Sequence, residues 1–219
     1  MRLQSAIFDL DGTLLDSMAA WDNVSPDIVR ALGVEPEADL ADKVRDLTPQ
    51  GRALYCKNTY GLTESVEELL AMAGERMAEF YRTEVRVKPG VQKFLSLLKM
   101  EGVWMYVATN TDRRLVELVL KRTGLEGYFR GIITCAEAGA GKRESAEVYE
   151  KAMRRLRSNK KDTVIFEDAL HAVRTAKAAG FRVCGVYDPS AEGDQDAIRA
   201  EADYYVRTFE EMFETTMEG

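Results

Sequence analysis

Short apolar runs recur along this chain, separated by stretches whose apolar residues follow helical spacing. Residues 4–8, 104–108, 131–134, 163–166, 182–186 and 203–206 read as strands. Between them, residues 91–100 place Val91, Phe94, Leu95 and Leu98 on one helical face. Residues 112–122 do the same through Leu115, Val116, Val119 and Leu120, with Asp112 as an N-cap and Gly124 as a stop. Residues 145–156 and 169–179 continue the pattern, the second closed by Gly180. Strand and helix in alternation predict an α/β doubly wound, Rossmann-like parallel sheet. Residues 16–85 break that rhythm. No strand-like run occurs there, whereas 27–32, 50–60 and 65–81 look helical, with turns near 33–36 and Gly61. The expectation is a core of residues 1–15 and 86–219 carrying an inserted all-α domain, 16–85, with Lys88-Pro89-Gly90 as the return hinge. Met72 and Met77 fall inside a helical segment and read as packing residues.

Composition narrows the picture. A chain of 219 residues at 46% hydrophobic content can bury one good core and a smaller lobe. Thirty basic against 37 acidic residues leave a formal charge of −7, which argues against a nucleic-acid binder. The apolar runs are strand-sized and interrupted by charge, so no membrane span is expected. The opening residues, Met1-Arg2-Leu3-Gln4, lack the apolar stretch of a secretory signal. Cys56, Cys135 and Cys184 are odd in number and have no Cys-x-x-Cys spacing, so they read as core fillers in a reducing compartment. A cytoplasmic location follows as the expectation. Nothing in the chain specifies an oligomeric state.

Candidate chemistry begins at Ile7-Phe-Asp-Leu-Asp-Gly-Thr13. Asp9 and Asp11 stand two residues apart at the end of an apolar run, on one face if the strand continues. Two carboxylates that close are costly unless they share a cation or a proton. A Mg²⁺ site with a nucleophile and an acid/base satisfies this arrangement; an exposed turn or a fragment of a calcium loop is the plainer alternative. Thr109-Asn110 follows the run 104–108, Lys142 follows the glycine-rich Ala138-Gly-Ala-Gly141, and Glu167-Asp168 follows the run 163–166. In isolation Thr109 could be a helix cap, Lys142 a solvated loop residue, and the acidic pair a cap for the next helix. In a parallel sheet, however, strand C-termini converge on one crevice.

Taken in order, Asp9-x-Asp11, Thr109, Lys142 and Glu167-Asp168 resemble the motif set of the haloacid dehalogenase-like (HAD) superfamily, in its phosphatase and β-phosphoglucomutase-like branch. The resemblance extends over nearly the whole chain and continues into Gly185-Val-Tyr-Asp188. It implies a helical cap over a catalytic crevice and an aspartyl-phosphate on Asp9, whose carboxylate has an ordinary pKa of about 3.9. It makes Asp11 the acid that protonates the leaving alkoxide and then the base for water. Dehalogenases and phosphonatases lack an Asp at that place, so Asp11 points to phosphate esters. Thr109 and the Asn110 backbone would bind phosphate. Lys142 would offset negative charge on Asp9 and the phosphoryl group. Asp9, Asp168 and the Asp11 carbonyl would hold Mg²⁺, with Glu167 as a further ligand. Two departures stand out: Ala146 where a proline is usual, and Ala169 where a serine is. Asp16 would support the crossover into the helical domain, and Asp188 would support the site from a later strand.

Sugar-phosphate mutases of this branch carry a hinge histidine shortly after the aspartates; here Trp21 falls at that place. The expectation is therefore a Mg²⁺-dependent phosphatase of a small phosphorylated metabolite, such as a sugar phosphate. The alternatives are a sugar-phosphate mutase and a catalytically quiet phosphometabolite-binding module. Specificity would reside in the inserted domain, through residues 46–52, with Arg52 as the contact, or else as a solvated helix residue. His171, the sole histidine, reads as structural or surface.

Overall fold

The computed structural model describes residues 3–45 and 47–214; Met1 and Arg2 of the opening segment and Asp46 of the segment 46–52 lie outside it. The chain divides into two units. Residues up to Asp16, together with those from Arg86 onward, form one; Ser17–Val85 forms the other.

The first unit is built on a six-stranded sheet in which every adjacent pair is parallel. Its strands are β1 (Ser5–Phe8), β4 (Trp104–Thr109), β5 (Phe129–Thr134), β6 (Thr163–Glu167), β7 (Arg182–Val186) and β8 (Tyr204–Val206). Their spatial order is β5-β4-β1-β6-β7-β8. The chain winds outward from β1 to β4 and β5, then crosses to the other side of β1 for β6. The order therefore reverses between β1 and β6, the place where ligands bind in sheets of this kind. Phe8 is level with Phe166, and the Asp9 N–H donates to the Phe166 carbonyl at 3.0 Å. Residues 9 and 167 thus lie side by side at the carboxyl ends of β1 and β6.

Alternation along β1 and β6 supplies both faces with apolar side chains. Ile7 and Ile165 pack with Ala108, Val183, Val148, Tyr149, Val173 and Ile198. These last come from α8 (Glu147–Arg155), α9 (Leu170–Ala178) and α10 (Gln195–Glu201). Phe8 and Phe166 point the other way and stack with centroids 4.4 Å apart, edge-on to Phe94 of α5 (Val91–Met100). The remaining helices of this unit are α6 (Arg113–Thr123), the single turn α7 (Cys135–Ala138) and α11 (Glu211–Glu214). Asp112 caps α6 by accepting from the Arg114 N–H, and left-handed Gly124 ends it. A two-rung antiparallel ribbon joins β2 (Leu15–Asp16) to β3 (Arg86–Val87), with Asp16 opposite Arg86. Two-residue strands carry no periodicity, which is why the sequence reading passes over them.

The second unit consists of α1 (Met18–Ala31), α2 (Leu40–Val44), α3 (Pro49–Tyr60) and α4 (Val66–Thr83). A Ser65–Glu68 capping box starts α4. The α1 helix begins nine residues before the expected 27–32 segment because Pro26 lies in its interior instead of at its start. An interior proline forfeits one helical hydrogen bond. Burial of Val24, Ile28 and Val29 holds the helix across that gap. Trp21 donates its indole N–H to the Tyr81 hydroxyl at 3.1 Å within this unit. All three cysteines are buried free thiols. No helix among the described residues is long and apolar enough to cross a membrane.

Candidate active site

Where β1 ends, Gly12 adopts a left-handed φ of 80° and lets the chain reverse. The Leu14 and Leu15 N–H groups return to the Leu10 carbonyl, while the Gly12 N–H donates to Leu15. This tight turn fixes Asp9, Asp11 and Thr13 at the sheet's carboxyl edge. Lys88 clamps the turn from β3's side. Its ammonium reaches the Gly12 carbonyl, the Tyr187 carbonyl at 2.7 Å and the Asp188 carboxylate at 2.7 Å. Asp188 is 2% exposed and also accepts from Ser190.

Lys142 is 2% exposed and donates to both Asp9 Oδ1 and Glu167 Oε1, the latter at 2.6 Å. The Tyr149 hydroxyl, from α8, donates to the same Glu167 oxygen at 2.6 Å. Thr13 donates to Asp168 Oδ1 at 2.8 Å. Oxygens of Asp9, Glu167 and Asp168 all lie within 4.8 Å of one another. Three buried carboxylates thus cluster together, two of them bridged by the Lys142 ammonium, and Glu167 Oε2 is buried without a hydrogen-bond partner. Three clustered carboxylates, one of them with an unpartnered oxygen, are the donor set of a hard divalent cation. The residues present fit such an ion.

Electrostatics follow from this crowding. Burial, and then the Glu167 charge, raise the Asp9 carboxyl to about 7 despite the opposing pull of Lys142. This departs from the ordinary carboxylate expected from sequence, and desolvation is the reason. Burial and the charges of Asp9 and Glu167 push Asp168 well up as well. Burial alone would lower Lys142, but the two carboxylates outweigh it and its pKa is raised. Tyr149 is raised by burial and by Glu167, so it stays a hydroxyl donor.

The structure therefore brings together Asp9, Lys142, Glu167 and Asp168. The Asp11 carboxylate is not part of that cluster; it accepts from the Thr111 hydroxyl at 2.6 Å. Thr109, 1% exposed at the end of β4, accepts from the Thr111 N–H at 3.1 Å and does not cap α6. Asn110 is exposed beside it. The acidic pair does not cap α9 either, whose N-cap is Ala169 with no side-chain bond. Arg52 belongs to the helical unit, where its guanidinium holds the carbonyls of Arg45 at 2.6 Å and Leu47 at 3.2 Å. His171 is partly exposed in the first turn of α9. Sequence reasoning missed Thr111 and Tyr149, and named Thr13 only as the end of the 7–13 motif and Lys88 only as part of the return hinge. Thr111 carried a local signal as well, two residues past Thr109, whereas Tyr149 carried none.

A family model described as haloacid dehalogenase-like hydrolase matches residues 6–186. The phosphorylated carbohydrates phosphatase of Thermotoga maritima is 24% identical over 192 residues, 87% of this chain and 88% of that protein. The phosphoglycolate phosphatase of Agrobacterium fabrum is 28% identical over 83% of this chain and 79% of its own. Hexitol phosphatase B of Escherichia coli is 26% identical over 91% and 90%. Among solved structures, CbbY from Rhodobacter sphaeroides in complex with phosphate superposes with a TM-score of 0.80 at 21% identity, over 94% of this chain and 95% of that one. That likeness is one of fold. With sheet order, carboxylate cluster and family match in agreement, the chain belongs to the haloacid dehalogenase-like hydrolases.

Proposed function

We propose that this hydrolase is a Mg²⁺-dependent phosphatase of a small phosphorylated metabolite, working through an aspartyl-phosphate on Asp9. The observation that carries the reading is the buried Asp9–Glu167–Asp168 cluster bridged by Lys142, with Glu167 Oε2 unpartnered. Asp9 and Asp168, the Asp11 carbonyl and Glu167 would hold Mg²⁺, which when bound offsets negative charge on the phosphoryl oxygens. The similar curated proteins named as phosphatases of phosphorylated carbohydrates, phosphoglycolate and hexitols support a small phosphate ester as substrate.

In the first half-reaction an Asp9 oxygen forms a bond to phosphorus as the ester P–O bond breaks. Asp11, entering as the acid, gives its proton to the leaving oxygen and becomes a carboxylate. In the second, water attacks the aspartyl-phosphate. Asp11 takes the water proton, the Asp9–phosphorus bond breaks, and inorganic phosphate departs. Throughout, Lys142 stabilises the charge that Asp9 and the phosphoryl group share, and Thr109 donates its hydroxyl to a phosphate oxygen. Hydrolysis is favoured over a mutase because Trp21, at the place of the mutase histidine, brings no imidazole and commits its indole N–H to Tyr81. The helical unit serves as the cap that selects the substrate, with Arg52 as a specificity contact.

The test is phosphate release from p-nitrophenyl phosphate and from a panel of sugar phosphates, with Mg²⁺ and with EDTA. Metal-dependent release that disappears in Asp9→Asn is expected. No release from any ester, alongside interconversion of glucose 1- and 6-phosphates, would overturn the hydrolase reading.

A further inference from the structure

One residue without a role in that scheme touches two that have one. Thr111, 7% exposed, follows β4 and precedes the α6 cap residue Asp112. Its N–H donates to Thr109 Oγ1 at 3.1 Å. With a lone pair occupied by that N–H, the Thr109 hydroxyl directs its own proton elsewhere. The Thr111 hydroxyl donates to Asp11 Oδ2 at 2.6 Å, across 100 residues of sequence. A hydroxyl donating to Oδ2 fixes the rotation of the carboxyl group and can do so whether or not the other oxygen, Oδ1, carries the proton. The β4–α6 junction therefore holds both groups from one backbone position.

We propose that Thr111 is a positioning residue for phosphoryl transfer, holding the Asp11 carboxyl in the orientation from which it delivers its proton to the leaving oxygen and keeping the Thr109 hydroxyl turned to phosphate. The inference rests on the reading of Asp11 as the acid/base. It adds a specific consequence: loss of the Thr111 hydroxyl penalises esters in proportion to how badly their leaving group needs a proton. A general acid contributes on the order of 10²–10⁴ to rate, and one left free to rotate delivers only part of it.

The test compares kcat/KM for p-nitrophenyl phosphate, whose leaving group departs readily as an anion, and phenyl phosphate, whose leaving group departs poorly without a proton. Wild type, Thr111→Val, Thr111→Ser and Asp11→Asn are assayed with Mg²⁺, and their thermal midpoints are compared. Thr111→Val is expected to lower kcat/KM for phenyl phosphate by about tenfold or more, and for p-nitrophenyl phosphate by less than about threefold. Thr111→Ser, which restores the hydroxyl, recovers the phenyl phosphate rate. Equal losses on the two esters in Thr111→Val, or no loss on either, while Asp11→Asn discriminates between them, would overturn the role of Thr111 alone. Equal losses in Asp11→Asn would remove the acid/base reading beneath it, and this inference with it.

Discussion

Lys142 is a single positive charge answering two buried carboxylates, at 2% exposure. Replacing it with the similarly shaped but neutral Met leaves Asp9 and Glu167 facing each other. Breaking a buried pair in this way costs about 3–5 kcal/mol, so the urea midpoint of Lys142→Met should fall clearly at pH 7.5. Phosphatase activity should fall by about 10²–10³, the usual loss when one preorganised electrostatic donor is removed. An unchanged midpoint would mean that the bridge contributes little to folding. The pH dependence has a definite sign. Asp9 titrates near 3.8 when unfolded and about 7 when folded, so its contribution is complete below pH 3.8 and is lost as pH rises through 7. Asp168 is shifted in the same direction. In EDTA, the thermal midpoint should therefore decline between pH 5 and pH 8, and less so in Asp9→Asn. Mg²⁺ binds the deprotonated carboxylates and should raise the midpoint more at pH 8 than at pH 5.5. A flat profile in EDTA would contradict this account of the cluster.

Elements were legible in the sequence wherever one chain segment carries its own periodicity. All six sheet strands announce themselves as apolar runs, and α5 and α6 as repeating apolar faces. The start of α1 was not legible, because Pro26 is a local stop signal that only the buried Val24, Ile28 and Val29 override. The same division runs through the site. Asp9, Lys142, Glu167 and Asp168 are recognisable from order and strand-end position. Thr13 on Asp168 and Tyr149 on Glu167 are contacts across 155 and 18 residues, which no local pattern encodes. Two glycines separate element-scale packing from backbone propensity. A Cβ on Gly185 in β7 would sit 2.6 Å from Ile198 Cγ2 and 3.2 Å from the Tyr205 ring. Gly185→Ala should therefore cost about 1–3 kcal/mol through overpacking. Gly74, inside α4, has nothing within 4 Å of the added atom. Gly74→Ala should instead stabilise by about 0.5–1 kcal/mol. Chemical denaturation of the two variants distinguishes the cases, and a shared sign would show that one local picture is wrong.

At the scale of the molecule, the helical insertion leaves and rejoins the sheet unit at the Asp16–Arg86 pair of the β2–β3 ribbon. Replacing Ser17–Val85 with Asn-Gly turns that ribbon into a two-residue hairpin, a connection antiparallel strands accept readily. The shortened chain should unfold cooperatively and still be stabilised by Mg²⁺. It should turn over p-nitrophenyl phosphate while losing preference among sugar phosphates. Circular dichroism melts and the substrate panel check both halves, and a non-cooperative melt would show that the sheet unit needs the insertion to fold. The closing rung also has an entropic consequence. Loop closure grows only logarithmically with contour length, by about 0.6 kcal/mol per doubling. A doorway two peptide strands wide can thus receive foreign sequence of widely differing size at nearly constant cost, which makes this position a natural splice point for re-targeting the enzyme.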